Sequence, residues 1–150
     1  MTREGLVEIA PGLLRPDWDL PAGVGALLTT RAGGRSVGPF ASLNLGSHVG
    51  DDPLVVAANR ARLRSFLPAD PLWSNQVLGA AVADTDVCEG VLEADAVLAR
   101  SSRRVCAVLT ADCLPVLFCD DDASVVAAAH AGWRGLAAGV LLMALKIPQW

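Results

Sequence analysis

Short apolar runs, broken by Gly, Pro and Asp, give the chain its pattern, and few are long enough for a helix. Leu6 to Ala10 predicts a short strand inside a Pro-punctuated start (Pro11, Pro16, Pro21), and Val24 to Thr30 predicts a second. The second runs into Gly33-Gly34 and then Gly38-Pro39, tight turns where backbone can approach a ligand closely. Asp51 or Asp52 can cap a helix that has Pro53 at its first position, runs to about Phe66 and is ended by Leu67 to Pro71. Leu72 to Val77 and Ala80 to Ala83 predict strands around a bend at Gly79, with two more over Glu93 to Leu98 and Val105 to Thr110. Leu114 to Cys119 reads as a strand, Asp120 to Ala123 as a polar turn and Val125 to His130 as the returning strand. A last helix starts near Trp133 to Leu136 and runs to about Lys146, where Pro148 stops it. Many strands with few helices predict an α+β fold.

At 150 residues the chain is one domain, or a piece of one, long enough for a core. Its net charge of −4 argues against a general nucleic-acid or anionic-membrane surface. With 53% hydrophobic and 19% charged residues, its apolar surface expects further protein to cover it, a C-terminal half or a self-association partner. The apolar runs break within about a dozen residues, short of the roughly 20 a spanning helix needs. Met1 to Ile9 mixes charges of both signs and lacks the apolar stretch of a signal peptide. Four cysteines, at 88, 106, 113 and 119, form no Cys-x-x-Cys pair, which predicts a reduced, cytoplasmic chain.

Candidate chemistry concentrates at Cys113 and His130. They sit in Thr110-Ala-Asp-Cys-Leu-Pro-Val116 and Ala129-His-Ala-Gly-Trp-Arg-Gly135, at the far ends of the two hairpin strands, where a thiol and an imidazole can lie side by side. Such a pair binds zinc or forms a nucleophile and its base. The alternative reading is a small core cysteine and a satisfied buried histidine. Both stand on spacing alone. Cys88, Cys106 and Cys119 read as packing residues, and Trp73 and Trp133 as core aromatics.

The run from Leu28 to Asp52 (LTTRAGGRSVGPFASLNLGSHVGDD) resembles the YfiH-like family, also called laccase-domain or polyphenol oxidase proteins. So do Asn59-Arg60, Trp73 with Gln76-Val-Leu-Gly79, Ala94-Asp-Ala96 and the two motifs above; the match covers roughly residues 25 to 142. The resemblance implies mixed β-sheets flanked by helices, and a zinc enzyme acting on purine nucleosides. Its implied activities are phosphorolysis of adenosine, inosine, guanosine and methylthioadenosine, and deamination of adenosine. The small-molecule partners it implies are those nucleosides and phosphate. Two departures stand out. The family binds zinc with two histidines and a cysteine; Cys113 and His130 match two of these, but the first histidine, from Gln-Val-His-Gly, is Leu78 here. Family members also continue past the segment matching Leu136 to Leu145, so residues 1–150 correspond to the N-terminal part of a YfiH-like domain, lacking its C-terminal part.

Other residues of the matched motifs carry paired readings. Arg31, Arg60 and Arg134 suit phosphate or nucleoside contact, because a guanidinium fork fits phosphate oxygens; equally they suit salt bridges to Asp51, Asp95 or Asp112. Asp112 is an acid/base group, a residue holding a ligand in place, or a local cap. Asn44 and Gln76 are placed to read a purine edge or a ribose hydroxyl, or to bond backbone. By the resemblance His48 falls near the site as a substrate-binding neighbour rather than a ligand; the other readings are a substitute metal ligand and a loop histidine bonding backbone. The leading expectation is a zinc-dependent purine nucleoside phosphorylase with adenosine deaminase activity, impaired by Leu78 and truncation. A non-catalytic remnant and a metal-free Cys-His hydrolase stand beside it. Multicopper oxidation fits worst, because such sites consume many histidines and this chain has two.

Overall fold

A computed structural model describes residues 5–146. Residues 1–4 and 147–150, on which some of the expectations fall, lie outside the described residues. The chain packs as two compact units. One runs to Leu20 and over Gly25–Leu67; the other takes Pro21–Val24 and the chain from Pro68 onward.

In the first unit, β1 (Leu6–Ala10), β2 (Leu13–Pro16) and β3 (Leu28–Thr29) form an antiparallel sheet in that order. The turn between β1 and β2 needs Gly12: its φ is +77°, and a Cβ there would stand 1.9 Å from the Ala32 carbonyl oxygen. β2 is hidden in the sequence by its flanking prolines. The expected strand from Val24 shrinks to Leu28–Thr29, since Gly23 turns at φ +90° and β2 offers partners only to those two residues. Helix α1 (Pro53–Arg64) forms as its residues dictate, with Pro53 in the first turn and the Asp52 side chain accepting from the Leu54 amide at 2.8 Å. Leu13, Leu14, Leu43, Leu45, Val56 and Leu63 are buried in this unit.

The second unit is built on a sheet of β4 (Val82–Asp84), β5 (Ala96–Ala99), β6 (Leu114–Cys119) and β7 (Val126–Ala131), in the order β4-β5-β7-β6. β4 and β5 are parallel, and the other pairs are antiparallel. Both faces of its centre are covered. Ala96 and Ala129 pack against Val140 and Ala144, while Val97 and Ala128 pack with Ala83 and Ala94 against Leu92, Cys106 and Val108. Alanines on the central strands let the covering layers come close. The last helix is two, α2 (Trp133–Ala138) and α3 (Val140–Leu145), because Gly139 takes φ +89° between them.

Two expected strands are not continuous. Leu72 to Val77 and Val105 to Thr110 keep only the isolated bridges Leu72 to Cys106 and Asn75 to Glu93. The Gln76 side chain does the work of a ladder there: it donates to the Leu109 carbonyl at 2.8 Å and accepts from the Leu109 amide at 2.7 Å. Mixed sheets with few helices make this an α+β fold. No helix among the described residues is long and apolar enough to cross a membrane.

Candidate functional site

Strand register assembles the site. In the β6–β7 pair Pro115 lies opposite His130 and Leu114 opposite Ala131, so the next step places Cys113 opposite Gly132. Side chains two apart on a strand share a face. Cys113 and Pro115 therefore share the face of His130. On the other side of β7, Ala96 pairs with Ala129, which sets Asp95 opposite His130; the His130 amide donates to the Asp95 carbonyl at 2.7 Å. Three strand ends thus bring a thiol, an imidazole and a carboxylate to one face.

The sequence marked Asp95 as part of the matched Ala94-Asp-Ala96 motif and as an alternative arginine partner, not as a partner of His130. Here its side chain is fully buried and its Oδ2 lies 2.9 Å from His130 Nδ1. It also accepts from three successive amides, those of Val77 at 2.9 Å, Leu78 at 3.1 Å and Gly79 at 2.9 Å. Burial pushes its pKa up, yet the bonds from His130 and the three amides outweigh that and hold the carboxyl below its ordinary value. The signal that could have found it is the antiparallel pairing of Ala94-Asp-Ala96 with Ala129-His-Ala131.

The same carboxylate anchors residue 78. Leu78 sits in the left-handed region at φ +61°, a conformation that disfavours leucine and in which histidine is several-fold enriched. Its side chain is 40% exposed rather than packed into a ligand's place. Its amide and His130 Nδ1 bond the same oxygen, Asp95 Oδ2, so residue 78 stands directly beside the imidazole.

Cys113 is half-buried, and its thiol donates to Asp112 Oδ1 at 3.6 Å. Burial, then the Asp112 carboxylate, pushes the thiol pKa up. A thiol so placed is a poor nucleophile at neutral pH, which weighs against the Cys-His hydrolase. Gly132 makes room for the pair: a Cβ there would stand 2.9 Å from Cys113 Sγ and 3.8 Å from His130 Cε1. Cys106, packed against Val97 and Ala128, has no such setting; burial and then the charges of Asp86 and Asp84 push it up to about 12.

A protein zinc site takes three or four donors. Cys113 and His130 offer two, Leu78 offers none, and no group of three or more His, Cys, Asp or Glu among the described residues could hold a metal ion. The donor set in this chain does not fit zinc.

Arg134, in the first turn of α2, is exposed and lies over the Trp133 ring at 5.2 Å. Trp133 is itself 73% exposed, so it is not the core aromatic that its sequence suggests. In the first unit the candidate residues form a frame around the loop from Gly33 to Asp52. Asn59, buried, donates to Ser36 Oγ, Ser42 O and Asn44 O and accepts from the Arg35 amide. Asn44 donates to Asp51 Oδ2 at 3.0 Å and accepts from the Gly46 amide. The Asn44 and Ser36 bonds hold the Asp51 carboxyl below its ordinary pKa. Arg31 Nε donates to Ala41 O and Arg60 Nε to Leu45 O. His48 is exposed.

Comparison with known proteins places this geometry. A family model described as multi-copper polyphenol oxidoreductase laccase matches residues 25–147. A protein of Pseudomonas aeruginosa named purine nucleoside phosphorylase is 56% identical over 128 residues, covering 85% of this chain and 52% of the relative. The Escherichia coli purine nucleoside phosphorylase YfiH is 52% identical over 132 residues, covering 86% of this chain and 54% of its own length. The crystal structure of a Neisseria meningitidis protein superposes with a TM-score of 0.82 at 48% identity, covering 91% of this chain and 58% of that one. The chain thus spans about half the length of the curated relatives it matches. By its motifs, its fold and its match over residues 25–147, the chain belongs to the YfiH-like family of laccase-domain proteins.

Proposed function

We propose that this chain carries the core of a purine nucleoside phosphorylase site, centred on Asp112, Cys113 and His130, in which Leu78 leaves zinc binding weak and activity low. The observation that carries the reading is the shared oxygen of Asp95. It delivers residue 78 to the imidazole in a backbone conformation suited to histidine, while the side chain there cannot ligate. Relatives 52–56% identical bear the name purine nucleoside phosphorylase, which supports nucleosides and phosphate as the substrates. In this reading Arg134, and in the other unit Arg31 and Arg60, offer guanidinium groups suited to phosphate. Asn44 and Gln76 act as framing residues, since their amides bond within the fold. Adenosine deamination belongs to the same proposal. It needs an activated hydroxide, the chemistry a bound zinc supplies, and so should fall with the metal.

Leu78→His tests the reading. Losing even a ligand's supporting partner costs about 10–100-fold in metal affinity, so supplying the ligand itself should raise zinc affinity by at least about 100-fold. Isothermal titration and elemental analysis would read this, with phosphorolysis of inosine and deamination of adenosine followed in parallel. Stoichiometric, tight zinc in the unmodified chain would overturn the reading, and so would an unchanged affinity in the variant.

Self-association is part of the proposal. Leu114, Leu136, Leu142, Met143 and Leu145 are all exposed in the second unit, apolar side chains that a second copy would cover. Sedimentation velocity should show mass rising with concentration across the micromolar range. A single monomer boundary throughout would remove this element.

A further inference from the structure

Asp95 holds four donors on one buried side chain. Its Oδ1 takes the amides of Val77 and Gly79, and its Oδ2 takes the Leu78 amide together with His130 Nδ1. An ionised carboxylate only accepts hydrogen bonds. The imidazole nitrogen facing it must therefore carry the proton, which leaves Nε2 as the nitrogen with a free lone pair in the neutral ring. Ring orientation follows as well, because the strand pairing that sets Asp95 across from His130 fixes the direction of approach. The loop is pinned from a second side. A Cβ at Gly135 would stand 3.2 Å from the Gly79 carbonyl oxygen and 3.3 Å from that of His130. Glycine at 135 therefore lets α2, the loop and the end of β7 meet.

We propose that Asp95 is the positioning residue of this site, setting the tautomer and orientation of His130 and the place of residue 78 through a single carboxylate. The inference rests on His130 being a working group of the site, as in the function proposed above. It adds a coupling between loop and ring: displacing residues 77–79 should disturb the imidazole, and releasing the imidazole should loosen the loop. Such a carboxylate would fix the Nδ1–H form of a working histidine and leave Nε2 as the nitrogen that faces the site.

The chain has only His48 and His130, so nitrogen-15 correlation spectra of the imidazoles separate the two readily. At pH 8, His130 is expected to show a protonated Nδ1 held in one form, whereas exposed His48 should exchange between tautomers. In Asp95→Asn the His130 signals should move toward the exchanging pattern, and amide exchange at residues 77–79 should quicken by at least about tenfold. A merely structural aspartate would alter the exchange rates without fixing the tautomer. A bare Nδ1, or a tautomer mixture like that of His48, in the unmodified chain would overturn the inference even if Asp95→Asn failed to fold. A protonated Nδ1 in a chain whose Leu78→His variant gains no zinc would overturn the functional reading and leave this one standing.

Discussion

Replacing Asn59 by leucine is expected to cost about 3–4 kcal/mol, the largest loss open to a single uncharged polar side chain in the first unit. Each buried group left without its partner costs roughly 1–3 kcal/mol. Leucine keeps the branched outline of asparagine, is larger, and supplies neither its acceptor nor its donors. The Arg35 amide would lose its acceptor, and Ser36 Oγ, Ser42 O and Asn44 O would lose a shared donor. Those groups frame the loop that carries His48, and Asn44 and Asp51 share the network through Ser36. The loop should therefore loosen before the rest of the unit. Leu54→Ala supplies the comparison, because Leu54 is on the same helix and exposed, and surface changes usually stay within about 0.5 kcal/mol. Urea midpoints for the two variants decide the matter; equal losses at 54 and 59 would show that the network carries no stability of its own.

Local chemistry explains which parts of this fold could be read in advance. Pro53 behind Asp52 fixes a helix start wherever it occurs, so α1 was readable to within a few residues. The hairpin from Leu114 to Ala131 was readable for a similar reason, since a run of three aspartates between apolar strands leaves only a turn. β2 was not, because prolines at 11 and 16 read as breaks although the second merely ends a strand. Nor could Val105 to Thr110 be separated from a strand by pattern. Its backbone is held partly by the Gln76 side chain, a long-range bond that no periodicity encodes.

The site divides along the same line. Cys113 and His130 were readable as a pair because hairpin register is local, and the family motif named position 78 as their neighbour. Asp95 was not readable as the hub. Its role depends on β5 lying beside β7 rather than β6, a topological choice made by the buried alanine faces of the sheet. The backbone conformation of Leu78 was equally hidden, being imposed by three amides converging on that one carboxylate.

Asp95→Ala should be the most damaging change in the second unit, at about 3–5 kcal/mol near neutral pH. That is the usual cost of removing one member of a buried charged pair and leaving its partners unsatisfied. Val77, Leu78 and Gly79 would lose their amide acceptor, and His130 its Nδ1 partner. The pH dependence gives the loss a direction. The Asp95 carboxyl is held below its ordinary value, and an unfolded aspartate titrates near ~3.9. A carboxyl depressed in the folded state contributes its full stability above the unfolded pKa and loses it as pH falls through the folded one. The gap between the parent chain and Asp95→Ala should therefore be widest at pH 6 to 8 and narrow steadily below about pH 4. Denaturant midpoints at pH 7 and pH 3 would measure both ends. A gap that stayed constant across that range would mean that Asp95 stabilises the unit by packing alone, and that its charge plays no part in holding residues 77–79 and His130 together.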